Sequence, residues 1–172
     1  MKTVALYFGT FNPLHIGHVS IVRYLNDCPE IDEVRLIVSP QSPFKHDAVN
    51  SDIERLDRVK ADVARMDLYV TVSDVEFQLP RPSYTIKTLR YIKKEEPSNH
   101  FILVIGADNL IDFHKWYCFE EIVRDYPIWV YPRIGVPDTL SLCEKYNAVL
   151  LDAPMIDISS TEIRIGEKTA GI

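Results

Sequence analysis

Thr3–Leu25 reads TVALYFGTFNPLHIGHVSIVRYL, and its parts follow different periodicities. Thr3–Phe8 is apolar at nearly every position and short, as a strand buried on both faces should be. Ile16–Leu25 carries apolar residues at helical spacing. A strand that runs through a Gly-bearing loop into a helix is the opening unit of an α/β fold.

The unit recurs along the chain. Strand-like runs lie at Glu33–Val38, Tyr69–Ser73, Phe101–Gly106, Ile128–Tyr131 and Ala148–Leu151. Helical patterns lie between them: Asp52–Met66, with Ser51 and Glu54 at capping-box spacing; Tyr84–Lys94, with Ser83 as N-cap; and Thr139–Tyr146 after Asp138. This alternation predicts a doubly wound parallel α/β sheet, Rossmann-like, with right-handed crossovers and ligands beyond the carboxyl ends of the strands. The Pro-containing stretches Ser39–Phe44 and Leu79–Pro82 read as loops within one domain spanning residues 1–172, and both are candidates for binding.

Composition bounds the function. The chain has 172 residues, 47% hydrophobic and 26% charged, which suits one core. A formal net charge of -6 supplies no global basic field, so nucleic acid and anionic membrane are disfavoured as partners. No apolar run approaches the roughly 20 residues that span a bilayer. Cys28, Cys118 and Cys143 are odd in number and irregularly spaced, which argues against a disulfide framework or a C-x-x-C zinc site and for a reducing, cytoplasmic location.

Gly9–Thr10–Phe11–Asn12–Pro13–Leu14–His15–Ile16–Gly17–His18 is the most informative segment. A strand-end Gly permits close backbone approach, and a helix N-terminus suits a polyphosphate. His15 and His18 lie one turn apart and can face one ligand. Two imidazole donors would stabilise the charge that builds on phosphate oxygens during nucleotidyl transfer. The other readings are a metal pair, which lacks a third neighbouring ligand in the sequence, or two histidines at a helix start.

This segment resembles the G-x-F-x-P-x-H-x-G-H signature of the nucleotidyltransferases related to class I aminoacyl-tRNA synthetases. Ile158–Ser159–Ser160–Thr161–Glu162–Ile163–Arg164 resembles their second signature, I-S-S-T-x-I-R. Hydroxyls and N–H groups of Ser159, Ser160 and Thr161, with Arg164 a turn further on, could hold β- and γ-phosphates or simply cap a helix. Pro82–Ser83–Tyr84–Thr85 with Thr88–Leu89, Ile105–Gly106–Ala107–Asp108, Phe113–His114–Lys115–Trp116 and Arg133–Ile134–Gly135 resemble, in order, motifs of the bacterial nicotinate-nucleotide adenylyltransferases.

The resemblance implies a Rossmann-like nucleotidyltransferase that joins ATP to nicotinate mononucleotide with Mg²⁺ riding on the phosphates and no dedicated protein metal site. It implies catalytic His15, His18 and Lys45. It implies an ATP site at Gly9, Thr10, Phe11, Gly17, Gly106, Asp108, Ser159, Ser160, Thr161 and Arg164. It implies an acceptor site in which Trp116 stacks on the pyridine, the amides of Thr85 and Tyr117 receive the carboxylate, and Arg133 adds a charge. Each residue has a plainer reading: core aromatics for Phe113, Trp116 and Tyr117, an N-cap for Asp108, solvated charges for Lys45 and Arg133.

The departures are Asn12 for a usual Asp, Phe8 for a common Gly, and Phe44 where the family often has His before the basic residue. The family usually continues past its second signature into a further helical segment, whereas this chain ends at Ile172, so the C-terminal segment is expected to be short, and self-association is left open. Phosphopantetheine adenylyltransferases usually have Thr at the His15 position and lack the Trp116 pocket. Nicotinamide mononucleotide adenylyltransferases differ only in the pyridine substituent they accept. Cytidylyltransferases lack the middle motifs. A binding-only regulatory module would have no need of both histidines.

Overall fold

The computed structural model describes residues 1–40 and 46–155. The described strands are β1 (Thr3–Gly9), β2 (Glu33–Val38), β3 (Thr71–Ser73), β4 (His100–Gly106), β5 (Ile128–Tyr131) and β6 (Val149–Leu150). They form one sheet in the order β3-β2-β1-β4-β5-β6, with every pairing parallel. The helices are α1 (Ile16–Asn26), α2 (His46–Arg65), α3 (Val75–Gln78), α4 (Thr85–Glu95), α5 (Ala107–Ile111), α6 (Phe119–Asp125) and α7 (Thr139–Lys145), with a 3₁₀ turn at Phe113–Lys115.

Successive strand residues point to opposite faces, and the two cores divide accordingly. Ala5 and Tyr7 of β1 and Ile102 and Val104 of β4 meet Val19, Val22 and Leu25 of α1 and Leu56, Val59 and Val63 of α2. Val4, Leu6, Phe101, Leu103 and Ile105 project the other way, onto Ile86, Leu89 and Ile92 of α4, Leu110 of α5, Ile122 of α6 and Cys143 of α7. This two-sided burial makes the strands continuously apolar, and truncating a core residue such as Leu103 to Ala would cost about 2–5 kcal/mol.

The doubly wound sheet is as expected, but several helix starts are not. The helix over α2 is under way at His46, so Ser51 and Glu54 lie inside it and form no capping box. Tyr84, not Ser83, is the N-cap of α4, and no side chain bonds to its first turn. Asp138 precedes α7 without a side-chain cap bond, at a φ of 55°. The third strand begins at Thr71 rather than Tyr69; α3, α5 and the 3₁₀ turn are too short to carry a periodic signal, and α6 is a further helix that the sequence patterns did not mark.

Strand order reverses between β1 and β4, whose following helices lie on opposite faces of the sheet, so their carboxyl ends diverge into the crevice where such folds bind ligands. Gly9 ends β1 and Gly106 ends β4.

Candidate active site

The β1 end is built around two histidines. His15 is the N-cap of α1, and its Nδ1 accepts hydrogen bonds from the amides of Gly17 at 3.1 Å and His18 at 3.4 Å. The amide of His15 in turn donates to Nδ1 of His18 at 3.1 Å, which completes a reciprocal capping box made of imidazoles. The amides of Gly17 and His18 are therefore not free for an anion, contrary to the expectation that this helix end offers them. What the loop offers instead follows from proton bookkeeping. A neutral imidazole whose Nδ1 accepts carries its proton on Nε2, so both rings are fixed in the Nε2–H tautomer and each keeps one N–H donor.

The rings stack with centroids 3.6 Å apart and planes 17° from parallel. Burial holds both below the ordinary histidine pKa, with Arg133 adding to the effect on His15, and His15 and then Arg133 adding to it on His18. Both are therefore neutral near pH 7. Phe11, buried and at a φ of 48°, backs His18 edge-on at 5.0 Å. A Cβ at Gly9 would stand 3.0 Å from Phe11 Cζ, so any larger residue there would push on that ring.

At the β4 end, Gly106 is the N-cap of α5, and Asp108 lies inside the first turn rather than capping it. A Cβ at Gly106 would come within 2.6 Å of Asp108 Oδ1 and 2.9 Å of the Tyr131 ring. Arg133 Nε stands 4.0 Å from Asp108 Oδ1. Gly17 and Ile21 of α1, Tyr131 and Arg133 at the end of β5, and Pro154 line a small open cleft of about 40 Å³ beside the histidine helix. Tyr131 and Tyr7 pack edge-on at 5.6 Å beneath it, and burial raises both phenol pKa values.

Thr85, Trp116 and Tyr117 define a second region. Thr85 opens α4, whose first turn has no side-chain cap. Trp116 closes the 3₁₀ turn, half-buried, with its indole 4.9 Å from the buried Phe113 ring. One indole face thus belongs to the core, as the plain reading held, and the side chain still reaches the surface. Tyr117 is 49% exposed and packs on Tyr84 at 4.8 Å, with Lys87 Nζ over both rings. Lys45, Ser159, Ser160, Thr161 and Arg164 lie outside the described residues, as does the segment after Met155.

Sequence reasoning missed a set of buried polar residues beneath the site. Arg55 of α2, 2% exposed, donates to the carbonyl oxygen of Thr10, to that of Ser39 at 2.7 Å and to Asp52 Oδ1 at 3.0 Å. Glu76 of α3, 1% exposed, accepts from Ser39 Oγ at 2.7 Å and from Thr88 Oγ1 at 2.6 Å. Asp52 and Arg55 continue the Leu56, Val59 and Val63 stripe of α2 at helical spacing, and charges on an apolar stripe were the available signal.

Among the described residues no group of three or more His, Cys, Asp and Glu side chains could hold a metal ion, and no helix is long and apolar enough to cross a membrane. All three cysteines are free thiols.

Residues 6–166 match the family model described as cytidylyltransferase-like. A Cytophaga hutchinsonii protein named "probable nicotinate-nucleotide adenylyltransferase" is 42% identical over 164 residues, covering 94% of this chain and 83% of the relative. A crystal structure from Vibrio parahaemolyticus, provisionally given the same name, superposes with a TM-score of 0.63 at 28% identity over 84% of this chain and 80% of its own. The nicotinic acid mononucleotide adenylyltransferase of Plasmodium falciparum, complexed with NaAD, shares the fold: its TM-score is 0.70 at 18% identity over 99% of this chain and 90% of that one. Paired imidazole donors at the β1 end, the switch-point crevice and this span of similarity converge, and the chain belongs to the cytidylyltransferase-like nucleotidyltransferases, within their nicotinate-nucleotide adenylyltransferase family.

Proposed function

We propose that the chain is an adenylyltransferase that joins ATP and nicotinate mononucleotide to give deamido-NAD and pyrophosphate, one step of NAD biosynthesis, within a single domain spanning residues 1–172. The observation that carries the reading is the imidazole capping box, because it uses both Nδ1 atoms as acceptors and so leaves the Nε2–H groups of His15 and His18 as donors for a ligand. In the reaction an oxygen of the mononucleotide phosphate attacks the α-phosphorus of ATP in line. The bond to the bridging oxygen breaks, and pyrophosphate departs. The attacking phosphate is already anionic, so no general base is needed.

His15 and His18 donate to α-phosphate and leaving-group oxygens, where charge grows in the transition state. Neutral donors suit this task, since their protons stay in place through the reaction. Gly9, Thr10, Phe11, Gly17, Gly106 and Asp108 shape the ATP side, with Asp108 at the ribose, and Ser159, Ser160, Thr161 and Arg164 take the outer phosphates. Trp116 stacks on the pyridine, and the amides of Thr85 and Tyr117 receive its carboxylate. Lys45 and Arg133 supply charge to phosphates.

The donor set fits Mg²⁺ carried by the nucleotide. Asp108 follows the end of β4, and among the described residues no cluster of three or more possible ligands stands there, which suits meeting a hydrated ion through water rather than caging a bare one. Bound to the triphosphate, Mg²⁺ would neutralise phosphate charge. The three free thiols favour a cytoplasmic setting.

Pyrophosphate release from Mg-ATP with nicotinate mononucleotide, nicotinamide mononucleotide and phosphopantetheine in parallel tests the assignment. Release with the nicotinate compound and little with the amide is expected. Release with phosphopantetheine alone would refute it.

A further inference from the structure

The buried polar residues between the histidine loop and α4 form one continuous line. From Thr10 in the histidine loop, the line passes to Arg55, to Ser39 at the end of β2, to Glu76 of α3 and to Thr88, one turn into α4. Ser39 also donates its amide to Gly9 O at 2.8 Å, which ties the β2 end to the β1 end directly. The line therefore begins beside the two histidines and ends on the helix whose first residue is Thr85.

Stability alone is a poor reason for such a line. Ionic and polar groups buried this deeply give up hydration, and well-packed apolar residues in their place are often as stable or more so. What the line supplies is geometry. Each link is a hydrogen bond of 2.6–2.8 Å or a guanidinium fork onto carbonyls, and each joins a different element. In-line transfer is sensitive to such geometry, since a misplacement of about 1 Å can cost ~10²-fold in rate.

We propose that Glu76 is a positioning residue: with Arg55, Ser39 and Thr88 it sets the separation between the histidine loop and the N-terminus of α4, so that ATP and the acceptor are presented as one unit. This rests on the adenylyl-transfer reading, which assigns those two ends to the two substrates. Both oxygens of Glu76 accept from hydroxyls, so an amide that accepts with one atom and donates with the other preserves the link, whereas a methyl group removes it.

Two measurements on the full chain test the proposal. In the first, Thr88→Val is made and amide hydrogen exchange is followed at Thr10 and Phe11, at the far end of the line. Faster exchange there is expected; an effect confined to α4 overturns the proposal. In the second, kcat and KM are measured below the melting range of every variant. Glu76→Ala is expected to lower kcat about 10–100-fold and raise the acceptor KM while the ATP KM stays within about twofold. Glu76→Gln is expected to remain within roughly threefold of the wild type.

Equal damage from the amide and the methyl variants, or unchanged kcat and KM in Glu76→Ala, overturns the proposal. If Glu76→Ala does not fold, the exchange result decides. If the wild type turns over no nicotinate mononucleotide, the activity reading fails, and the exchange result still decides whether the line links its two ends.

Discussion

His15 and His18 cap one another: the Nδ1 of each accepts from the backbone at the other's end of the turn, and the rings stack at 3.6 Å. Structure and chemistry thus use different nitrogens of the same side chains, and substitution can separate them. Asn at position 15 retains an N-cap acceptor, but its amide N–H₂ sits one bond from Cγ and does not reach the position of Nε2–H. His15→Asn should therefore melt within a few degrees of the wild type and lose about 10²–10³-fold in kcat, the scale of removing one transition-state donor. His15→Ala should lose the donor and also about 1 kcal/mol of capping. Thermal melts beside steady-state kinetics decide it; equal melting temperatures for the two variants would deny the capping role.

The neutrality of the pair predicts a pH dependence of stability. Burial places both native pKa values below the ordinary one. Between the native values and the unfolded value of about 6.5, the unfolded chain binds more protons than the native one, so stability rises with pH in that window. The contribution is complete above the unfolded value and lost as pH falls through the native ones. A His15→Asn, His18→Asn double variant should show a shallower fall in melting temperature between pH 7 and pH 5 than the wild type. Parallel curves would mean that the imidazoles are not depressed.

Much of this architecture was legible because its signals are periodic or punctuated. Continuously apolar runs marked the strands, and the loop from Gly9 to His18 marked the first strand-to-helix turn. The illegible parts depend on tertiary partners. Nothing local says that His15 would cap with its ring nitrogen, that Phe11 would fold back over Gly9, or that Glu76 would be buried under two hydroxyls from distant elements. Ser51 and Ser83 had good capping chemistry in the wrong places: α2 begins upstream of Ser51, and Tyr84 takes the cap of α4.

Gly106 carries a prediction that needs no functional assumption. A methyl group there meets Asp108 Oδ1 at 2.6 Å and the Tyr131 ring at 2.9 Å, closer than real contacts allow. Tyr131 is nearly buried and cannot swing away freely, so Asp108 must yield. Gly106→Ala should cost about 1–3 kcal/mol of stability and, with Asp108 displaced from the ribose position, raise the ATP KM more than the acceptor KM. Titration of each substrate at saturating levels of the other separates these effects; a larger rise in the acceptor KM would place Asp108 on the wrong substrate.

Trp116 should divide affinity from discrimination. Its indole offers a stacking face, while the carboxylate of the acceptor is assigned to the amides of Thr85 and Tyr117. Trp116→Ala should then raise the acceptor KM about tenfold or more through lost stacking and burial, with Trp116→Phe intermediate. The ratio of nicotinate to nicotinamide use should stay nearly constant in both, because unpaired N–H donors and not the ring reject the amide. Competition between the two acceptors measures that ratio, and a collapse of selectivity in Trp116→Ala would move the discriminating contact to the indole.

Glu76 supplies a pH dependence of the opposite sign to the histidines. Burial raises its pKa against the lowering effect of the Thr88 and Ser39 hydrogen bonds. Between the ordinary glutamate value of about 4.3 and the raised native value, the native chain binds more protons than the unfolded one, so this group's contribution falls as pH rises and the full penalty applies above the native value. Glu76→Gln has no proton to lose and should keep both hydroxyl partners. Its melting temperature relative to the wild type should therefore climb as pH is raised from 4 towards neutrality, by about 2–4 °C for each kcal/mol of relieved burial cost. A difference that stays flat across this range would mean that Glu76 ionises in the folded protein as readily as in the unfolded chain, and that its two hydroxyl donors fully offset the loss of hydration.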